Sequence, residues 1–151
     1  CMRFTGMADR ALDIAIVYID EREAFGEKLS DKQALRYDIV EQKTRLHAVR
    51  TMVRHAAKEI ARGNQARVEV AMSKVYAANV TQEAVDTAVR ACGGNGIGKD
   101  LPLADFYENI RSFRIVDGAD EVHKRSIAKR VFDEENIDET ELENLTRFGE
   151  W

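Results

Sequence analysis

The sequence is poor in cysteine and in the residues that break helices. It has one proline and nine glycines in 151 residues, and clusters of β-branched residues are few, so the composition favours long helices over sheet. Its two cysteines, Cys1 and Cys92, fit neither a disulfide framework nor a metal-ligand spacing, which makes a reducing compartment the default. No apolar run is long enough to span a membrane, and no signal peptide is visible.

An excess of positive charge is also missing. Lys and Arg number 23 against 27 Asp and Glu, which gives a net charge of −4. Such a surface has no basic field to attract nucleic acid or an anionic membrane, so we expect neither as a partner. The length is sufficient for one buried core. Because the chain starts inside a helical pattern and without an initiator methionine, we expect it to be a piece of a longer protein.

Apolar periodicity predicts three long helices that form an all-α, antiparallel bundle of the four-helix type. The first covers about residues 7–21, the second runs to about Arg62 after a capping box of Ser30 and Gln33, and the third covers about 67–92. Seven-residue spacing marks the inward rows. On the second helix these are Ile39, Leu46, Val53 and Ile60, with Val49, Ala56 and Gln42 alongside; on the third they are Val68, Val75, Gln82 and Val89, and Ala71, Ala78, Val85 and Cys92.

Two shorter helices are predicted in the rest of the bundle. One lies in "PLADFYENIRSF" and has Pro102 near its start; Asp117 and Gly118 then separate it from a last helix that ends at about Phe132. Residues 1–132 are therefore predicted to form the bundle, and residues 133–151 an acidic tail with at most one short helix.

The stretch "ACGGNGIGKD" at residues 91–100 resembles a phosphate-binding loop, but its context argues against one. Asp100 replaces the Ser or Thr that would hold magnesium, and a helix precedes the glycines where a P-loop or a dinucleotide fingerprint needs a strand. A helix C-terminus explains one or two of the glycines. A close approach of the backbone to a ligand would explain the others.

The remaining candidates each allow two interpretations. His47, His55 and His123 have no metal-ligand spacing, so we expect ordinary surface or core histidines and no metal site. Arg22 is either a surface charge or an anion contact. The default prediction for Asp117 is the N-cap of the last helix. The alternative is a carboxylate that is kept ionised at a helix start and is therefore a possible base.

Taken together, three segments in this order resemble the carboxy-terminal domain of flavin-dependent acyl-CoA dehydrogenases. They are "RALDIAIVYIDEREAFGEKLSDKQALRY", "GGNG" and "LADFYENIRSFRIVDGADEVHKRSIAKRVF". The resemblance implies a helical bundle at the end of a longer chain. It also implies that this segment alone is inactive, because the middle domain that cradles much of the flavin is absent.

The resemblance assigns roles to individual residues. Arg22, Phe25 and Gln33 would reach the ADP part of an FAD held by a neighbouring subunit, and Gly93 and Gly94 would let the backbone pass close to it. Arg90 stands where the family commonly has glutamine, and could meet a phosphate. "VDGADEVH" matches the family's catalytic segment "YEGTSxIQ", which makes Asp117 the candidate base, one methylene shorter than glutamate. Gly118 would then lie beside the substrate, and Ala119 to Glu121 near the flavin.

The implied activity is α,β-dehydrogenation of an acyl-CoA thioester, with electron-transferring flavoprotein as acceptor and a homo-oligomeric (dimeric or tetrameric) assembly. The implied compartment is the cytoplasm in a bacterium, and the mitochondrion or peroxisome in a eukaryote. The alternative is a non-catalytic helical interaction or oligomerisation module that kept the bundle and lost the chemistry. Arg90, Asp117 and the acidic tail favour that alternative.

Overall fold

The computed structural model describes residues 1–134, and helices dominate that part of the chain. They are α1 (Met2–Glu21), α2 (Gln33–Ala61), α3 (Arg67–Cys92), α4 (Gly94–Ile97), α5 (Leu103–Phe113) and α6 (Asp120–Lys129), which continues into a π-helical turn over Arg130–Glu134. The all-α prediction is confirmed. None of these helices is long and apolar enough to cross a membrane. Apart from residues 133–134, the predicted acidic tail lies outside the described residues.

One small sheet interrupts the helical chain between α1 and α2. Strands β1 (Glu23–Ala24) and β2 (Glu27–Lys28) pair in antiparallel fashion, and a 3₁₀ turn at Leu29–Asp31 follows them. No regular element was predicted between the first two helices. Such short strands carry no apolar alternation, so the periodicity that reveals longer strands could not reveal these.

Ion pairs define the relative direction of the long helices. Asp38 on α2 pairs with Arg90 on α3, and Arg45, seven residues later on α2, pairs with Glu83, seven residues earlier on α3. These two helices therefore run antiparallel. On α1, Asp9 pairs with both Lys43 and Arg50 of α2.

Helix α3 forms the centre of the bundle and packs against α1, α2, α5 and α6. Its buried face is rich in small residues, and these let the neighbouring helices approach closely. Its buried apolar residues are Ala71, Ala77, Ala78, Val80, Ala84, Val85, Ala88, Ala91 and Cys92. The row of Val68, Val75 and Val89 is half-buried and lies at the margin of this core.

Two local predictions for α2 were wrong. Ser30 does not cap α2, because its hydroxyl donates to Asp20 Oδ1 at 3.1 Å and the helix begins at Gln33 without a side-chain cap. Ile60 is 54% exposed. Arg50 already pairs with Asp9, which lies only seven residues from the start of α1. The last turn of α2 therefore extends beyond the N-terminal end of α1.

Candidate functional site

Three of the residues predicted to bind the cofactor lie at one end of the bundle, where α1 and α3 end and α2 begins. Arg22 directly follows α1, and its carbonyl accepts a hydrogen bond from Leu29 N at 2.9 Å. Gln33 is the first residue of α2, and Arg90 lies in the last turn of α3. All three side chains are exposed. The structure thus brings together residues that are far apart in the sequence.

Phe25 occupies the tip of the hairpin in an unusual conformation. The pairing of Ala24 with Glu27 leaves Phe25 and Gly26 as a two-residue turn, and both have positive φ, +60° and +84°. This is the geometry of a type I′ hairpin turn, which a bulky side chain disfavours. The ring is also 95% exposed. An aromatic side chain held in a strained backbone and in solvent is a candidate binding residue.

Two different structural requirements explain Gly93 and Gly96 in the glycine run. Gly93 ends α3 with φ of +58°, as expected for a helix C-terminus. A Cβ on Gly96 would lie 2.4 Å from the carbonyl oxygen of Val89, so internal packing requires that glycine. Gly94 is exposed and a Cβ there would meet no atom within 4 Å. Nothing in the described part of the chain requires glycine at position 94, whereas the approach of an external group would.

Asp117 lies in the loop between α5 and α6, at the opposite end of α3. It is exposed and has φ of +57°, a conformation that aspartate tolerates better than most residues. The expected N-cap role is wrong: α6 begins at Asp120, and its N-cap is Ala119, without a side-chain hydrogen bond. Asp117 lies two residues before that N-cap, and its side chain does not cap the helix. Within residues 1–134, no donor forms a hydrogen bond with its carboxylate.

His123 holds the turn that contains Asp117. Its Nε2 lies 3.0 Å from the Asp117 carbonyl oxygen, and a Cβ on Gly118 would lie 2.8 Å from the same nitrogen. Gly118 also has φ of +92°. Ala119 is half-buried and Glu121 is exposed in the first turn of α6. His123 therefore has a structural role that its isolated position in the sequence did not indicate.

A buried ion cluster next to this loop was missed by the sequence analysis. Lys74 Nζ donates to Asp120 Oδ1 at 2.8 Å, and Arg114 Nε donates to Oδ2 at 2.9 Å. Burial acts to raise the pKa of the Asp120 carboxyl, but the hydrogen bonds and charges of Lys74 and Arg114 outweigh it and hold that pKa below its ordinary value. A lysine among the small apolar residues of α3 was the available signal.

The two groups of candidate residues are separated by most of the length of α3. Lys74 marks the end near Asp117 and Gly93 the other end, and 19 intervening steps of about 1.5 Å make a distance of roughly 28 Å. In the described part of the chain, no three His, Cys, Asp or Glu residues are grouped so that they could hold a metal ion.

Comparison with known proteins gives a consistent result. The family model described as acyl-CoA dehydrogenase, C-terminal domain, matches residues 1–132. Acyl-CoA dehydrogenase family member 11 of Gallus gallus is 38% identical over 131 residues, which are 85% of this chain and 17% of that protein. Subunit CarC of the caffeyl-CoA reductase–Etf complex of Acetobacterium woodii is 34% identical over 123 residues, 82% of this chain and 32% of CarC.

The fold also matches that of a solved flavin complex. The FAD complex of PigA superimposes with a TM-score of 0.80 at 26% identity, over 85% of this chain and 33% of that one. Fold and family model together define an α-helical domain of the type found in the C-terminal part of acyl-CoA dehydrogenases. The chain belongs to the acyl-CoA dehydrogenase family. It spans only a third or less of the relatives reported above.

Proposed function

We propose that this chain forms the C-terminal domain of an FAD-dependent enzyme that dehydrogenates acyl-CoA thioesters between the α and β carbons. In this proposal Asp117 is the catalytic base, and the opposite end of the bundle contacts the ADP part of an FAD bound mainly by a neighbouring subunit. Both the substrate and the activity belong to the full-length protein.

The conformation of Asp117 is the observation that carries the proposal. The loop presents its carboxylate to the outside of the bundle at positive φ, and no hydrogen bond from a described residue occupies it. A base must be within reach of the proton that it removes and must be free to accept it. An aspartate whose only role was structural would be expected to cap α6 or to form an ion pair, as the neighbouring Asp120 does.

Three features of the other end of the bundle support an FAD contact there. Arg22 has no ion-pair partner among the described residues, so its guanidinium is available to an anionic pyrophosphate. Phe25 offers an exposed aromatic ring, and Gly94 leaves the backbone open to close approach. Arg90 pairs with Asp38 at 2.6 Å, so its charge is already compensated. Of the two arginines, Arg22 is therefore the stronger candidate for the phosphate contact.

The chain's own part in the reaction is proton removal. Asp117 would take the proton from the α carbon, whose acidity rises when the thioester carbonyl is polarised. A bound FAD would supply the acceptor for the β-hydrogen, which would leave as hydride with two electrons while the C=C bond forms in the substrate. Gly118, adjacent to the base and without a side chain, would leave room for the substrate, and Ala119 and Glu121 would lie near the flavin.

The proposal extends to the electron acceptor and the assembly. The relative CarC is named as part of an Etf complex, which supports electron-transferring flavoprotein as the acceptor. The separation of the two candidate groups, about 28 Å along α3, supports a homo-oligomer in which the two ends of one chain serve different flavins.

The test uses the full-length protein that contains this segment. The purified protein should be yellow, and butyryl-, octanoyl- or palmitoyl-CoA should bleach the flavin absorbance. Asp117→Asn should retain the flavin but lose bleaching, while Asp117→Glu, which restores the family's usual side chain, should retain measurable activity. Lys43→Met, which removes a half-buried cation with two aspartate partners, serves as the control and should behave like the wild type.

A colourless full-length protein, or one whose bleaching is unchanged in Asp117→Asn, would refute the proposal. A colourless protein that still assembles into oligomers would support the non-catalytic interaction module instead.

A further inference from the structure

The cluster of Lys74, Arg114 and Asp120 is unusual because it places charge where apolar packing would suffice. The side chains of Lys74 and Asp120 are 5% and 2% exposed. Removing such charges from water is costly, and apolar side chains of similar size often stabilise a protein equally well or better. A contribution to stability alone therefore does not account for the cluster.

Hydrogen bonds to both oxygens of a carboxylate fix the orientation of its side chain, which an apolar contact does not. Lys74 approaches one oxygen of Asp120 from α3, and Arg114 approaches the other from the end of α5. The first residue of α6 is thus oriented from two sides. Aromatic packing extends this support: Lys74 Nζ lies 5.4 Å from the centre of the Phe113 ring, which stacks on Phe4 with 4.3 Å between centroids.

The same residues close the loop that carries Asp117. The backbone N–H of Asp120 donates to the Arg114 carbonyl at 3.2 Å, and the Arg114 side chain donates to the Asp120 carboxylate. Residues 115–119 therefore form a short loop whose two ends are joined twice, with Asp117 at its centre. The cluster attaches this closed loop to α3, the central helix of the bundle.

From this geometry we infer that Lys74, Arg114 and Asp120 are positioning residues for the base, which hold the loop at 115–119 so that the Asp117 carboxylate reaches the substrate. The inference rests on the proposed function and adds to it the residues that place the base. None of the three touches substrate in this scheme. A misplacement of about 1 Å can lower a rate by roughly 100-fold, so small movements of this loop matter.

The test separates positioning from stability in the full-length protein. Lys74→Met and Asp120→Asn each break the cluster, and the double variant Lys74→Met/Asp120→Leu replaces its buried ion pair with an apolar pair. Arg114→Met removes the partner whose side chain is 36% exposed, so it is the variant most certain to fold. Lys43→Met is the matched control, because it removes a cation from a different ion cluster, in which Lys43 pairs with Asp9 and Asp13.

We expect the single variants to lower the limiting rate of flavin bleaching by about 10- to 100-fold, with KM and flavin content near wild type. The double variant should regain the melting temperature but not the rate. The inference is overturned if the rate recovers with the melting temperature, or if Asp120→Asn keeps the full rate while Asp117→Asn has none.

Hydrogen–deuterium exchange at residues 115–119 tests the inference without catalysis. Exchange should be faster in Lys74→Met, Asp120→Asn and Arg114→Met, and unchanged in Lys43→Met. Unchanged loop exchange in the cluster variants would overturn the inference whether or not the enzyme is active. If wild-type protein is not bleached by any acyl-CoA but the loop responds as expected, the proposed function fails and the positional role of the cluster stands.

Discussion

Two alanine substitutions in the glycine run should have separable effects, although the positions are only two residues apart. In Gly96→Ala the new Cβ would lie 2.4 Å from Val89 O and 2.9 Å from Val89 Cα. Both are backbone atoms, so no side-chain rotation relieves the contact and α4 must move away from α3. Overpacking of this kind costs about 1–3 kcal/mol. The middle of this range, about 2 kcal/mol, corresponds to a roughly 30-fold change in the equilibrium constant for local opening.

Gly94→Ala should not destabilise the same segment. A Cβ there meets nothing within 4 Å, and alanine is favoured over glycine in a helix by up to about 1 kcal/mol. Under the proposed function the methyl group instead occupies space that the cofactor needs. Gly94→Ala should therefore lower the FAD content of the full-length protein while its local stability is unchanged or slightly higher.

Hydrogen–deuterium exchange and flavin absorbance together provide the assay. The amides of Gly96 and Gly98 donate to Gly93 O at 2.9 Å and Gly94 O at 3.0 Å, so their exchange reports opening of this segment. We expect exchange about 30-fold faster in Gly96→Ala and close to wild type in Gly94→Ala. Equal exchange in the two variants, or wild-type exchange in Gly96→Ala, would refute the packing argument. Full FAD content in Gly94→Ala would refute the cofactor argument.

Three further predictions follow from individual residues. Gly118→Ala should lower the limiting rate of flavin bleaching by about 10-fold or more. The double variant Gly118→Ala/His123→Ala should recover only part of that rate, because alanine at positive φ remains strained after the contact with the His123 ring is removed. Full recovery of the rate would contradict the strain argument. Phe25→Asn should raise the free energy of unfolding of the flavin-free protein by up to about 1 kcal/mol, since asparagine tolerates positive φ. The affinity of the same variant for FAD should fall. A destabilised variant would argue against backbone strain at the tip of the hairpin. Asp120 has a lowered pKa, so the stabilisation from its carboxylate is complete above the ordinary pKa of aspartate and is lost as pH falls through the lower folded-state pKa. In denaturant unfolding, the difference in unfolding free energy between wild type and Asp120→Asn should shrink in acid, and a constant difference would contradict the ionised state.

The sequence predicted best what depends on neighbours along the chain. The bounds of α3 were predicted at 67–92, and the helix extends from Arg67 to Cys92. Long heptad spacing, a glycine at each end of the segment and a run of small residues are all local signals. Both capping predictions were wrong, each for its own physical reason. Ser30 forms its hydrogen bond with Asp20, and Asp117 adopts positive φ, so each departs from the local rule for its residue type.

The ion cluster could not be predicted from local patterns. Lys74 and Asp120 are 46 residues apart, and only the packing of α6 on α3 brings them together. A lysine in the small-residue face of α3 indicates that something must compensate its charge, but it does not identify the partner. The predicted roles of Arg22, Gln33, Gly93, Ala119 and Glu121 stay predictions, because each concerns a molecule outside this chain.

Under the proposed function, the length of α3 between the base and the cofactor contact has a genetic consequence. If the base of one chain works beside a flavin whose ADP contact comes from another chain, every catalytic centre is a product of two polypeptides. In a mixed dimer, a chain that lacks the Asp117 carboxylate can still contribute its Arg22, and a chain that lacks the Arg22 guanidinium can still contribute its Asp117. One of the two centres is then complete. Two alleles that are each inactive alone should therefore complement each other when co-expressed, whereas two alleles altered at Asp117 should not.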